Sequence, residues 1–299
     1  ILFLCISCKK NTGQKTDEAE TKKLESLRIA CTSDHFSPAG LKNSKILKKE
    51  AEKANNELYI GYAYNYMMLY YLNNEKKDSA LYSGQKAKEY FTKAGNSDLL
   101  LKTENSLIEW EVNYGDPETA LKKANVFLKD TQKSTNKLDE FYAYKLLGNI
   151  HSILGNSSQA MDSFDKMLET KNNNNLDLGP NSAFIFLEVA NAAEGIEKYN
   201  LSLQYCDSAQ YYINKYPDSP HTPVLNILLY LNQGNNFIKL NRMKEAKQTI
   251  EKLSSYYPST DSTKPKDKFY YYIQVLQADY YFENKQYDTA LQKVNIALN

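Results

Sequence analysis

The chain is 299 residues long, 42% hydrophobic and 24% charged, with 37 basic residues against 36 acidic ones. A net charge of +1, spread without blocks of one sign, excludes the basic face that nucleic-acid recognition needs. Four cysteines and three histidines, widely scattered, leave too few ligands in any one place for a metal cluster.

The first eight residues, Ile-Leu-Phe-Leu-Cys-Ile-Ser-Cys, form an apolar run that ends at Lys9-Lys10. A membrane-crossing helix needs about 20 apolar residues, so the run reads as the tail of a secretory signal. It resembles a bacterial lipoprotein signal, which implies lipidation of Cys8 behind the small Ser7; Cys5 follows the bulky Leu4 and fits less well. Residues 9–36, rich in Lys, Thr and Glu, are expected to be a polar tether. Leu47, Ala51 and Ala54 fall at helical spacing and predict the second helix of a partial leading unit.

From there a repeat runs to the end of the chain. Ala80, Ala120, Ala160, Ser202, Ala246 and Ala290 are separated by 40, 40, 42, 44 and 44 residues. A fixed period of this size marks one supersecondary unit stacked many times. Twelve residues before four of these markers stands a second small residue: Gly148, Ala190, Gly234 and Ala278. Met68 and Ile108 fill the place in the first two units. Small residues let two helix axes approach to the short end of about 8–10 Å. Seven residues after each marker, Ala87, Phe127, Met167, Ala209, Leu253 and Ala297 return to the same helix face. Turn residues at Asn73-Asn74, Gly115-Asp116-Pro117, Gly155-Asn156 and Asn284-Lys285 end one helix and open the next. Looser punctuation at Gly95–Ser97, Lys171–Asn175, Tyr216–Pro220 and Pro258–Pro265 separates the units. The reading is all-α.

These residues resemble the tetratricopeptide repeat, a 34-residue helix–turn–helix with the pattern W-x2-L-G-x2-Y…A-x3-F…P. The third unit reads Tyr144-x2-Leu147-Gly148-x2-His151…Ala160-x3-Phe164. The fifth reads Tyr230-x2-Gln233-Gly234-x2-Phe237…Ala246-x3-Ile250, followed by Pro258. The sixth keeps Ala278-x2-Tyr281…Ala290-x3-Val294. The longer period departs from the family and requires longer helices or links. The resemblance implies a right-handed α-solenoid of about six repeats plus the partial leading one, over residues 37–299. The last helix shows no polar outer face, so the array is expected to continue past Asn299.

No catalytic constellation stands out. Cys5-x-x-Cys8 has the spacing of a redox or zinc half-site but no second pair, and it lies in the apolar leader. Cys31 and Cys206 read as separate reduced cysteines. His35, His151 and His221 are far apart, and His151 stands where the pattern packs a tyrosine, which assigns it to the core. Gly-rich phosphate loops, His-Glu-x-x-His and Gly-x-Ser-x-Gly do not occur. Neither an enzyme activity nor a cofactor or metal is expected. The 25 tyrosines, in runs such as Tyr62 to Tyr71 and Phe269 to Tyr272, fit either core packing or a ring-lined groove.

In this family the first helix of each unit lines the ligand-binding face. The resemblance places Leu69, Glu109, Asn149, Asn191, Asn235 and Asp279 there. Three asparagines in register offer amides that both donate to and accept from an extended peptide. Lys145 and Asn149 resemble half of the family's clamp for peptide C-termini, but the next unit offers Glu188 where the clamp takes asparagine, so no complete clamp is expected. The implied function is a non-catalytic scaffold for a protein or peptide ligand. Its leader and composition resemble the extracytoplasmic, periplasm-facing input region of a membrane-anchored bacterial signalling protein, sensor histidine kinases included. That reading expects an apolar span of about 20 residues beyond Asn299; a homodimer is admitted. Tyr216–Pro220 and Tyr256–Ser259 resemble the repeat ends of outer-membrane assembly lipoproteins, which keeps a stand-alone envelope scaffold open. A glycan- or nutrient-binding lipoprotein is a third alternative, disfavoured because Trp110 is the only tryptophan.

Overall fold

The computed structural model describes residues 18–32, 36–256 and 268–298. The leader with Cys5 and Cys8, the tether up to Asp17, His35, and the Pro258–Pro265 link lie outside the described residues. Within them the chain forms fourteen α-helices and no strand. It divides into two compact units, residues 1–116 and 117–299, and the division falls at the Asp116–Pro117 bond.

Unit 1 contains α1 (Glu18–Thr32), α2 (Pro38–Lys53), α3 (Glu57–Asn73), α4 (Lys77–Lys93) and α5 (Ser97–Tyr114). The expected tether is corrected here, because residues 18–32 are a helix packed on α2 and α3. Leu24, Leu27 and Cys31 recur at i, i+3 and i+7, a narrow apolar stripe among charged neighbours. Leu24 and Cys31 are buried in one cluster with Leu47, Ala51, Tyr66 and Phe91. Arg28 forks onto Glu25 at 2.6 and 2.8 Å, and the Tyr59 hydroxyl donates to the same carboxylate at 3.1 Å. The leading unit is therefore a complete helix pair, with Leu47 and Ala51 on the buried face of its second helix. Leu69, assigned to the binding face, instead packs against this core.

Met68 fills the slot that later repeats give to a small residue, and the room comes from elsewhere. A Cβ on Gly84 would stand 2.7 Å from the Met68 sulfur and 2.6 Å from Leu107. One on Gly61 would stand 2.6 Å from the Phe91 ring. The crossing stays close, with the missing side chains moved to neighbouring turns. In the Tyr62 to Tyr71 run, Tyr64 and Tyr66 are buried, and the half-buried Tyr62 stacks on Tyr66 and meets Phe91 edge-on. Core packing accounts for that run; Tyr272, in the later one, is exposed.

Unit 2 contains α6 (Pro117–Thr131), α7 (Lys137–Ile153), α8 (Ser157–Asn173), α9 (Ser182–Gly195), α10 (Tyr199–Lys215), α11 (Thr222–Lys239), α12 (Met243–Tyr256), α13 (Lys268–Glu283) and α14 (Tyr287–Leu298). The pairs α7/α8, α9/α10, α11/α12 and α13/α14 make its strongest packing contacts. The first helices α7, α9, α11 and α13 also touch one another in that order, which forms a continuous layer. All six markers are buried, as are Gly148, Ala190, Gly234 and Ala278. Of the positions seven residues on, only Ala297 is not fully buried.

The small residues do not all serve the same contact. A Cβ on Gly148 would reach the Phe164 ring at 2.6 Å, within its own helix pair. One on Gly234 would instead meet Leu276 of α13 at 2.8 Å, so this glycine admits the next repeat rather than its own partner. At the fourth marker the small residue is polar. Ser202 donates to the Ala190 carbonyl at 2.8 Å and accepts from the Asn236 amide at 2.9 Å, which ties α9, α10 and α11 together.

Eight of the turns share one design. A residue with positive φ follows the helix, and the next N–H returns to the carbonyl five residues back, as from Asn156 to His151 at 2.8 Å. This is the Schellman closure, which favours glycine or asparagine at the left-handed site. Gly95, Gly155, Asn55, Asn175 and Asn241 satisfy that preference, whereas Glu75, Glu197 and Lys285 do not. Left-handed geometry costs an L-residue about 1–2 kcal/mol, partly offset by glycine's greater freedom when unfolded. Glu75→Gly in unit 1 and Lys285→Gly in unit 2 are each expected to stabilise their unit by about 0.5–1 kcal/mol. Urea unfolding followed by circular dichroism reads this out; a lowered midpoint would contradict it.

Candidate functional site

The expected site residues separate into three groups. Glu109 stands exposed on α5 in unit 1, where Asn105 donates to its carboxylate at 3.2 Å. The other five belong to the first helices of unit 2.

On α7, Lys145 and Asn149 lie one turn apart and both turn toward Glu188 of α9. The Lys145 ammonium is 3.1 Å from Glu188 Oε1, and the Asn149 amide donates to the same oxygen at 3.5 Å. The expected half-clamp is present, but an internal carboxylate occupies it. Asn149 is thereby separated from the other two asparagines of its register.

Asn191 and Asn235 remain together. They line a cleft of about 450 Å³ with Glu194 and Gly195 of α9, Glu197 of the following turn, Tyr199 at the start of α10, and Lys239 at the end of α11. Many asparagines of the described helices spend their amides on the carbonyl four residues back. Asn74, Asn113, Asn125, Asn174, Asn226, Asn232, Asn236 and Asn284 all do so. The amides of Asn191 and Asn235 make no such bond among the described residues. Asn191 is exposed and Asn235 half-buried, so both donor and acceptor capacity face the cleft.

Lys239 organises the charge here. Burial raises the Glu194 carboxyl above its ordinary value, and Lys239 opposes that rise. Asp279 on α13 is likewise raised by the protein packed around its carboxyl, with Lys239 pulling it down and Glu283 pushing it up. The expected residue Asp279 is not among the residues lining the cleft, and only its charge interaction with Lys239 links it to them. Glu194 and Lys239 were missed in the sequence, although a signal existed: they fall three residues after Asn191 and four after Asn235, on the same helix faces. A second cleft, of about 730 Å³, lies between the end of α10 and the start of α11. Gln210, Asn214 and Asn226 line it without a charged group.

His151 belongs to the packing. It is half-buried, its Nδ1 is buried without a partner among the described residues, and burial lowers its pKa. The folded protein therefore resists protonating it. Its contribution is intact above the unfolded value of about 6.5 and is lost as the pH falls below that. His151→Phe is expected to flatten the stability profile between about pH 6.5 and 5, read by thermal melts; an unchanged slope would remove His151 from the acid response. Cys31 and Cys206 are both buried and free, and burial pushes the Cys206 thiol up to about 12. No cluster of three metal-ligating side chains occurs among the described residues, and no described helix is long and apolar enough to cross a membrane.

No family model and no curated protein matches the chain. Solved structures do. A signal transduction ATPase with a tetratricopeptide repeat sensor, PH0952 from Pyrococcus horikoshii, superimposes with a TM-score of 0.67 at 16% identity; the match spans 93% of this chain and 41% of that one. The apo form of RapI gives a TM-score of 0.65 at 11% identity over 94% of this chain and 96% of RapI. A Rap protein complexed with competence and sporulation factor gives 0.60 at 12% identity, over 94% and 71%. At such identities the likeness concerns the fold, and the fold is the tetratricopeptide repeat.

Proposed function

We propose that the chain is a non-catalytic scaffold whose unit 2 binds an extended protein segment across α9 and α11. The observation that carries this reading is the pair of uncommitted amides, Asn191 and Asn235, one repeat apart and facing one cleft. An extended backbone presents alternating N–H and C=O groups, which an amide can answer two at a time. The Rap protein complexed with competence and sporulation factor lends support, since it has the same fold with a factor bound. Affinity selection from a peptide library on the immobilised chain tests it. The double variant Asn191→Ala/Asn235→Ala is expected to lose at least about tenfold in affinity for the selected peptides, or about 1.4 kcal/mol. Undiminished binding would remove the amides from the site.

The setting we infer is the extracytoplasmic input region of a membrane-anchored signalling protein, held by a lipid on Cys8. Its support is the apolar leader ending in Ser7-Cys8 and the fold shared with a protein described as carrying a repeat sensor. Fatty-acid labelling in a bacterial host, lost in Cys8→Ala, is the expected result.

A further inference from the structure

We propose that the cleft between the end of α10 and the start of α11 binds a neutral saccharide. It is a second site, independent of the peptide cleft. Asn226 lines it, nine residues or about two and a half turns before Asn235, so the two side chains leave opposite sides of α11. Asn226 also marks the cleft as a place for a ligand. Only 5% of this residue is exposed, and its amide donates to the Thr222 carbonyl at 3.0 Å. Its Oδ1 accepts no bond among the described residues. Unlike the Oδ1 atoms of Asn232 and Asn236 it is not sealed in the core, so the surface that Asn226 keeps opens on the cleft. A nearly buried amide oxygen without a donor costs free energy, and a donor that enters the cleft recovers it.

The neighbouring groups set the chemistry. Gln210 and Asn214 stand one turn apart on α10, and the Gln210 amide donates to Asn214 Oδ1 at 3.0 Å. That bond leaves Gln210 Oε1 as an acceptor beside Asn214 Nδ2 as a donor. Vicinal hydroxyls of a sugar each donate and accept, and they lie at hydrogen-bond distance from one another, so one diol answers both amides. The Thr222 hydroxyl spends its proton on the Tyr216 carbonyl at 3.3 Å and keeps its lone pairs for a further donor. No charged side chain lines the cleft, which leaves an anion or a cation without the partner that its desolvation demands. Pro217 and the half-buried Tyr230 supply apolar surface for the C–H face of a sugar ring, so the site needs no tryptophan. The volume, about 730 Å³, is that of an ordinary small-molecule site and suits a short oligosaccharide.

The test uses the whole chain and trisaccharides followed by saturation-transfer NMR, with titration for affinity. The neutral probes are cellotriose, maltotriose and N-acetylchitotriose; the charged ones are trigalacturonate and deacetylated chitotriose. At least one neutral probe is expected to bind at least about tenfold more tightly than either charged probe. Gln210→Ala/Asn214→Ala removes a half-buried and an exposed side chain without touching the core, and is expected to weaken that binding at least about tenfold. Asn226→Ala is expected to weaken it severalfold. Asn235→Ala, in the peptide cleft, is expected to leave it unchanged, so loss of peptide binding and loss of sugar binding are separate results. No saturation transfer to any neutral probe overturns the proposal. Charged probes bound as tightly as neutral ones overturn the preference for an uncharged ligand. An unchanged affinity in Gln210→Ala/Asn214→Ala overturns the assignment to this cleft. A blocked, uncharged peptide that displaces the best sugar at equal concentration overturns the ligand class and gives the cleft to protein.

Discussion

Gly148→Ala is expected to destabilise unit 2, although the same change in an ordinary helix stabilises it. Alanine exceeds glycine by about 0.8–1.0 kcal/mol in helix propensity, so a free site at Gly148 would gain that amount. The site is not free, because the new Cβ would stand 2.6–2.8 Å from three atoms of the Phe164 ring. Phe164 is fully buried against Phe141, Met167, Ile185 and Val189 and has nowhere to retreat. Overpacking of this kind costs about 1–3 kcal/mol, which outweighs the propensity gain. Phe164→Leu alone is expected to cost about 1–3 kcal/mol for lost burial and imperfect refilling. In that background the ring is gone, and Gly148→Ala should turn neutral or stabilising. The change of sign, measured by urea unfolding of the four proteins of the cycle, carries the argument; a Gly148→Ala effect identical in both backgrounds would falsify the close crossing.

That crossing is also where the sequence was most legible. A recurrence of small residues twelve apart points to close helix approaches, and Gly148, Ala160, Ala190 and Ala278 all lie in the core as read. Gly234 shows the limit of the inference: smallness says that something comes close, not which helix, and here it is α13. The first helix was missed for an energetic reason. Leu24, Leu27 and Cys31 form a stripe of only three residues in a helix of fifteen whose one other large apolar residue, Ile29, is exposed, and such a segment reads as tether until a neighbouring surface exists to receive the stripe. Burial against α2 and α3 supplies what the local pattern lacked. In the first repeats the glycines that compensate for Met68 sit at Gly61 and Gly84, off the twelve-residue register.

The candidate site was legible in type and less so in membership. The register that put asparagines on the first helices also brought Asn191 and Asn235 to one cleft. It could not distinguish Asn149, whose amide is taken up by Glu188, because that depends on a side chain 39 residues away. Lys239 and Glu194 were hidden for a related reason: each looks like an ordinary solvated helix residue, and only the side-by-side placement of α9, α11 and α13 gives them common neighbours.

Ser202→Ala brings the chain to the residue that five of its own six repeats use at this position, and it is nevertheless expected to cost about 1–2 kcal/mol. Ser202 and Asn236 are both fully buried. Removing the hydroxyl leaves the Asn236 amide with only the Asn232 carbonyl, at 2.7 Å, and strands a polar group that already has an unpartnered Oδ1. An unmet buried donor costs about 1–3 kcal/mol, more than the few tenths that alanine gains over serine in a helix. Asn236→Leu keeps the branched shape of the side chain while deleting both polar atoms. Combined with Ser202→Ala it should recover most of the loss, since replacing both partners of a buried bond by apolar groups is close to neutral. Thermal melts of the two single variants and the double decide the matter. If the double merely sums the singles, the two side chains do not depend on each other. If it recovers, the polar link is dispensable for stability, and its effect is to hold α9, α10 and α11 in one register while the cleft between the first helices keeps its shape.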